Sequence, residues 1–175
     1  MRRLILLRHA KSDWNAVGTA DRDRQLVPRG AESALKVGAY MARHGLIPDL
    51  VLCSTAKRAR TTWDLVAKAF SASPKIVYED RLYEVDAKSI LDVVKATGPD
   101  VHALLVVGHN PGLRDLADLL IASGDVETRQ RLLEKLPTAG LAVIDFPVDD
   151  WAKLHPKAGR LDRFVAPRLL EATTD

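Results

Sequence analysis

Ala103-Leu104-Leu105-Val106-Val107 is apolar at five consecutive positions, and a strand can be apolar on both faces only where helices cover both. The run predicts a central strand of a parallel sheet. Further largely apolar runs at residues 4–7, 49–53, 75–78 and 141–146 predict more strands, and a looser alternation at 160–165 predicts another. Between them, apolar residues recur at helical spacing over 31–44, 57–70, 87–96 and 113–122, with Gly45 as a stop after the first. Alternating strands and helices predict an α/β fold with a mostly parallel sheet. A chain of 175 residues has the length of one domain, taken as 1–175.

The 47% apolar and 28% charged content is that of a globular chain and excludes a disordered or fibrous one. Basic residues exceed acidic ones by only three, so the basic clusters near Arg2, at 57–60 and at 129–135 do not by themselves predict nucleic-acid binding. Cys53 is the single cysteine, which excludes an intramolecular disulfide framework and a thiolate zinc site. Its place in an apolar run predicts a buried core residue. The start imitates an export signal, but its apolar run of four residues is short of the roughly 7–15 that such a signal needs. No run approaches the roughly 18 residues of a membrane span, so no membrane contact and a cytoplasmic location are expected.

Three strands end alike. Arg8 and His9 follow the first, Ser54 and then Arg58 follow the second, and Gly108-His109-Asn110-Pro111 follows the run at 103–107. In open α/β sheets the carboxyl ends of strands form the ligand crevice, so two arginines and two histidines would meet there. Arg8 and His9 can both face that crevice only if the chain leaves the strand at that point, because strand neighbours point to opposite faces. Lys57, Arg58 and Arg60 crowd a helix start, where the helix dipole disfavours cations and an anion would remove the conflict. His44, His102 and His155 receive no role.

These residues carry a resemblance. Leu7-Arg8-His9-Ala10-Lys11-Ser12, with Trp14 and Asn15, resembles the Arg-His-Gly signature of the histidine phosphatase, or phosphoglycerate mutase-like, superfamily, with Ala10 where glycine is usual. Ser54, Arg58, Ala59 and Thr62 resemble its second motif, and 108–111 resembles the third. The segments 21–26, 81–84 and 136–140, together with the short length, resemble the SixA-type phosphohistidine phosphatase branch. The resemblance implies a three-layer α/β/α sandwich. It implies that His9 attacks phosphorus, that Arg8, Arg58 and His109 hold the phosphoryl oxygens with one contact from Asn15, and that no metal or other cofactor is required. Glu84 matches the position of the family's proton donor.

The expected substrate is a phosphorylated protein, in particular protein phosphohistidine, or a small phosphate ester. A phosphoglycerate mutase-like enzyme and a phosphoprotein-binding module with little catalysis are the alternatives. Binding alone would not require His9, and nucleic acid is not an expected partner.

Overall fold

The computed structural model describes residues 1–15 and 17–171, the last by its backbone only. Seven strands form one sheet: β1 (Arg2–Arg8), β2 (Leu50–Ser54), β3 (Lys75–Glu79), β4 (Ala103–Gly108), β5 (Ile121–Gly124), β6 (Leu141–Phe146) and β7 (Gly159–Val165). Their order is β3-β2-β4-β1-β6-β7-β5. Pairing is parallel except where β6 lies between β1 and β7, so the sheet is mixed but mostly parallel, as expected.

Strand alternation builds the two cores. Leu4, Leu6, Leu104 and Val106 point to one face, and Ile5, Leu7, Leu105 and Val107 to the other. Helices α1 (Pro28–Arg43) and α2 (Lys57–Ala67), with the short α6 (Pro167–Glu171), cover the second face. Helices α3 (Ala87–Lys95), α4 (Gly112–Leu120) and α5 (Val126–Glu134) cover the first. The result is a three-layer sandwich of the phosphoglycerate mutase-like kind. Burial of each of these aliphatic side chains contributes about 1.5–3 kcal/mol. Cys53 is buried in the second core, as its apolar context predicted.

The structure corrects several boundaries. The first helix begins at Pro28 rather than 31, because proline fits the first helical turn, where no N–H partner is needed. The stretch 13–28, read as loop, contains a 3₁₀ turn at Asp21–Asp23 and a bridge between Ser12 and Leu26. The helix expected over 113–122 ends at Leu120, and Ile121–Gly124 pairs with β7. Those four residues have no alternating pattern, and their partner lies far downstream. Helix α5 buries only Leu132, too little periodicity to announce a helix.

Two close approaches tie this frame to the strand ends. Gly30 packs so tightly that a Cβ there would lie 2.2 Å from the Lys11 carbonyl, and Gly112 would meet the Val85 carbonyl at 2.3 Å. Gly30→Ala is therefore expected to destabilise the fold by about 1–3 kcal/mol, the usual cost of overpacking. A lowered urea midpoint with an unchanged m-value checks this; an unchanged midpoint would mean that the 10–12 segment yields freely.

Candidate active site

Strand register assembles the site. Arg8 is paired with Gly108 and Cys53 with Val107, so β1, β2 and β4 end at the same level of the sheet. The chain leaves the strand after Arg8, and the His9 N–H donates to the Gly108 carbonyl at 3.0 Å. That turn sets the two histidine rings 5.2 Å apart. The Ala10 N–H donates to Thr62 Oγ1 at 2.9 Å, and the Thr62 hydroxyl donates to the Arg58 carbonyl at 2.7 Å. Alanine is accommodated at position 10 because its backbone is outside the left-handed region.

The cleft occupies about 390 Å³ and is lined by Arg8, His9, Arg24, Arg58, Glu84 and the 135–138 segment, among others. Its far wall hangs on β1: the Ala139 N–H donates to the Arg8 and His9 carbonyls, each at 3.0 Å. The Leu136 carbonyl accepts from Arg8 at 3.1 Å and from the Asn110 amide at 2.9 Å.

His9 is 7% exposed, and its Nδ1 lies 2.7 Å from the Ala10 carbonyl. A carbonyl only accepts, so Nδ1 carries the proton and Nε2 keeps its lone pair. Burial pushes the ring down to about 4; the Ala10 carbonyl opposes this, while Arg58, Arg8 and Arg24 reinforce it. His109 is pushed down to about 3, first by burial and then by His9 and Arg58. Its Nε2 lies 2.7 Å from Ser54 Oγ, which also accepts the Ala56 N–H at 3.2 Å.

Arg58 is 1% exposed. It donates to the Asp21 carbonyl at 2.8 Å, to Asp21 Oδ2 at 3.2 Å and to Glu84 Oε1 at 2.7 Å. Asp21 is held down to about 2, chiefly by the hydroxyl of Tyr83, with Arg58 and Arg24 adding to the effect. Arg24 binds Asp21 at 3.0 Å and Ser12 Oγ at 2.8 Å, beneath the Trp14 ring. Glu84 has a φ of 50°, the left-handed region that costs a non-glycine residue about 1 kcal/mol or more. In this position its Oε1 stands 3.4 Å from His109 Nδ1.

Within the site, three buried side-chain nitrogens form no hydrogen bond: Nε of Arg8, Nε of Arg58 and Nδ1 of His109. Arg8, His9, Arg58, Glu84 and His109 are thus gathered as the sequence led one to expect, although His109 lies behind Glu84 rather than on the cleft surface. Asn15 is not gathered with them. It is exposed, its N–H rests on Asp13, and it does not line the cleft. Sequence reasoning gave no role to Asp21, Arg24, Tyr83 or Lys135. The first three fall within segments that carried the family resemblance, but the bonding of Asp21 to Arg58, and of Arg24 and Tyr83 to Asp21, depends on how the loop folds back.

The family model for the histidine phosphatase superfamily (branch 1) matches residues 4–103. An uncharacterised protein of Mycobacterium tuberculosis is 38% identical over 164 residues, 93% of this chain and all of its own length. The crystal structure of a candidate phosphohistidine phosphatase SixA from Agrobacterium tumefaciens has a TM-score of 0.77 and 33% identity, covering 95% of this chain and 98% of its own. Its counterpart from Nakamurella multipartita has a TM-score of 0.81 and 29% identity, covering 95% and 96%. The chain belongs to the histidine phosphatase superfamily, and its structural neighbours are of the SixA type.

The histidine shifts fix a pH dependence. Both folded-state values lie below the ordinary 6.5, so the unfolded chain binds more protons as pH falls below 6.5. Stability should decline from about pH 6.5 down to about 4 and 3, the two folded values. His9→Ala should flatten part of that slope in urea unfolding curves, and ring NMR should show His9 titrating near 4. A His9 titration near 6.5 would contradict the buried neutral ring.

Proposed function

We propose that the protein is a phosphatase that works through a phosphorylated His9, without a metal, and that its preferred substrate is phosphohistidine on a protein. The observation that carries this reading is the neutral His9, its proton held on Nδ1 by Ala10, beside buried arginine donors that lack partners. Membership of the superfamily supports the coarser reading, a phosphatase.

In the first step Nε2 of His9 forms a bond to phosphorus while the bond to the leaving group breaks. Arg8 and Arg58 hold the equatorial oxygens, whose charge must be neutralised in the transition state. Ser54 donates its proton to His109 Nε2, leaving the His109 proton on Nδ1 to serve the same oxygens. The Glu84 carboxylate lies between Arg58 and His109, so an incoming phosphoryl group displaces it toward the leaving atom. In the second step the oxygen of water attacks phosphorus, the N–P bond breaks, phosphate departs and His9 is restored. Among the described residues no three of His, Cys, Asp and Glu are grouped to hold a metal ion.

A phosphohistidine leaving group departs as imidazole, which titrates near neutrality and needs little acid help. An alkoxide does need it, and Glu84, having taken the proton of a monoanionic phosphate ester as that group displaces it from Arg58, is the donor in reach of the cleft. Glu84→Gln should therefore slow an alkyl phosphate by about 10²–10⁴-fold and phosphohistidine far less. His9→Ala should abolish turnover on both. Rapid acid-free quench followed by mass spectrometry should find phosphate on His9, and chelator should leave the rates unchanged. Activity of a folded His9→Ala protein within tenfold of the parent would overturn the covalent route.

A further inference from the structure

The catalytic cleft does not end at its own rim. A second hollow, of about 200 Å³, shares Lys11, Pro137 and Thr138 with it and adds Arg29 and Arg168. A third, of about 300 Å³, shares Lys135 and Pro137 with the cleft and Arg168 with the second hollow. Pro137 borders all three, so the hollows adjoin one another as a track from the phosphoryl site toward the start of α1 and the face of α5 and α6.

Five cations line the two outer hollows, Lys11, Arg29, Arg131, Lys135 and Arg168, against the carboxylates Glu32 and Glu134. All five cations are exposed. Among the described residues, Lys11, Arg29, Lys135 and Arg168 make no side-chain hydrogen bond or ion pair. By contrast, Arg3, Arg22, Arg81 and Arg163 each face a carboxylate. Arg29 also stands in the first turn of α1, which holds no acidic residue, and there the helix dipole favours anions over cations. The third hollow has an apolar side as well, formed by Phe164, Ala166 and Leu169, the last 46% exposed.

We propose that this track binds an acidic, partly apolar segment flanking the phosphorylated residue of a protein substrate. The proposal rests on the phosphatase reading above and assigns its substrate class. A small phosphate ester fills the catalytic cleft alone, whereas a ligand reaching all three hollows must be a chain. Glu32 and Glu134 oppose the unbroken charge of a nucleic-acid backbone, while separate side-chain carboxylates can alternate with them.

Arg29→Glu/Arg168→Glu tests the track without touching the catalytic cleft, and a glutamate at position 29 suits the helix start. The substrates are para-nitrophenyl phosphate and two phosphohistidine peptides, one flanked by glutamates and leucines, the other by lysines and leucines. The parent should prefer the glutamate peptide, and added salt should raise its KM. The double variant should keep its kcat/KM on para-nitrophenyl phosphate and lose roughly tenfold or more on the glutamate peptide, through KM, as charge steering predicts. Equal rates of the parent on the two peptides would overturn the proposal, as would an equal loss on para-nitrophenyl phosphate. So would charge-reversal sensitivity appearing with fructose 1,6-bisphosphate or oligothymidylate binding but not with the peptide. Fluorescence anisotropy of the unphosphorylated glutamate peptide separates the two readings. If no substrate is hydrolysed, the phosphatase reading fails, yet peptide binding by the parent and its loss in the variant uphold the track; no binding overturns it.

Discussion

Burial of the Arg58 guanidinium organises everything around it. A cation that is 1% exposed is tolerated only with compensating charge and hydrogen bonds, since desolvation of an unpaired ion costs several kcal/mol. Asp21 and Glu84 supply that charge, both through Nη2 of Arg58. The two partners differ in character. Both carboxylates are half-exposed, but Asp21 is fixed by Arg24 and Tyr83 as well, whereas Glu84 is held in a strained backbone conformation. Asp21 is therefore the more firmly tied support, and Glu84 is the one that the proposed mechanism has an incoming anion displace. The orphaned Nε atoms of Arg8 and Arg58 add donor capacity that neither carboxylate uses.

Burial, reinforced by the same concentration of positive charge, keeps both histidines neutral. Arg8 and Arg58 reinforce the desolvation of both rings, so positive charge surrounds His9 without protonating it. The proposed nucleophilic nitrogen and the proposed cationic clamp can then coexist within one small volume. The arrangement needs a rigid frame, which the level ends of β1, β2 and β4 provide. Hydrogen bonds from 139 and 140 close the frame by tying the outer wall back to β1. The track beyond Pro137 begins at that wall, so the surface proposed to choose the substrate adjoins the residues proposed to hold the phosphoryl group.

Much of the frame was legible because it rests on local pattern. The strands at 103–107 and 141–146 were readable from apolar runs, and the helices over 57–70 and 87–96 from apolar spacing. Arg8, His9, Arg58 and His109 were legible as polar groups closing those runs. β5 and α5 were not, since neither has a periodic apolar face. Asn15 shows the opposite failure: its motif neighbours hold, but its own side chain lies on an exposed stretch away from the cleft.

The sequence by itself determined the alternation of elements, the buried character of the central strands and the identity of the four groups at the strand ends, because each depends on residues near one another in the chain. Only the tertiary structure decided that Asp21 and Glu84 flank Arg58, that the proton of His9 is held on Nδ1 by Ala10, and that Arg29, Arg168 and Lys135 border one track. The His9–Ala10 contact joins neighbours but needs the turn that ends β1, while the other placements join segments 26 to 139 positions apart, as where Arg58 bonds Glu84 or Arg29 and Arg168 line one hollow. Their register is set by sheet order and loop closure, which no local periodicity encodes.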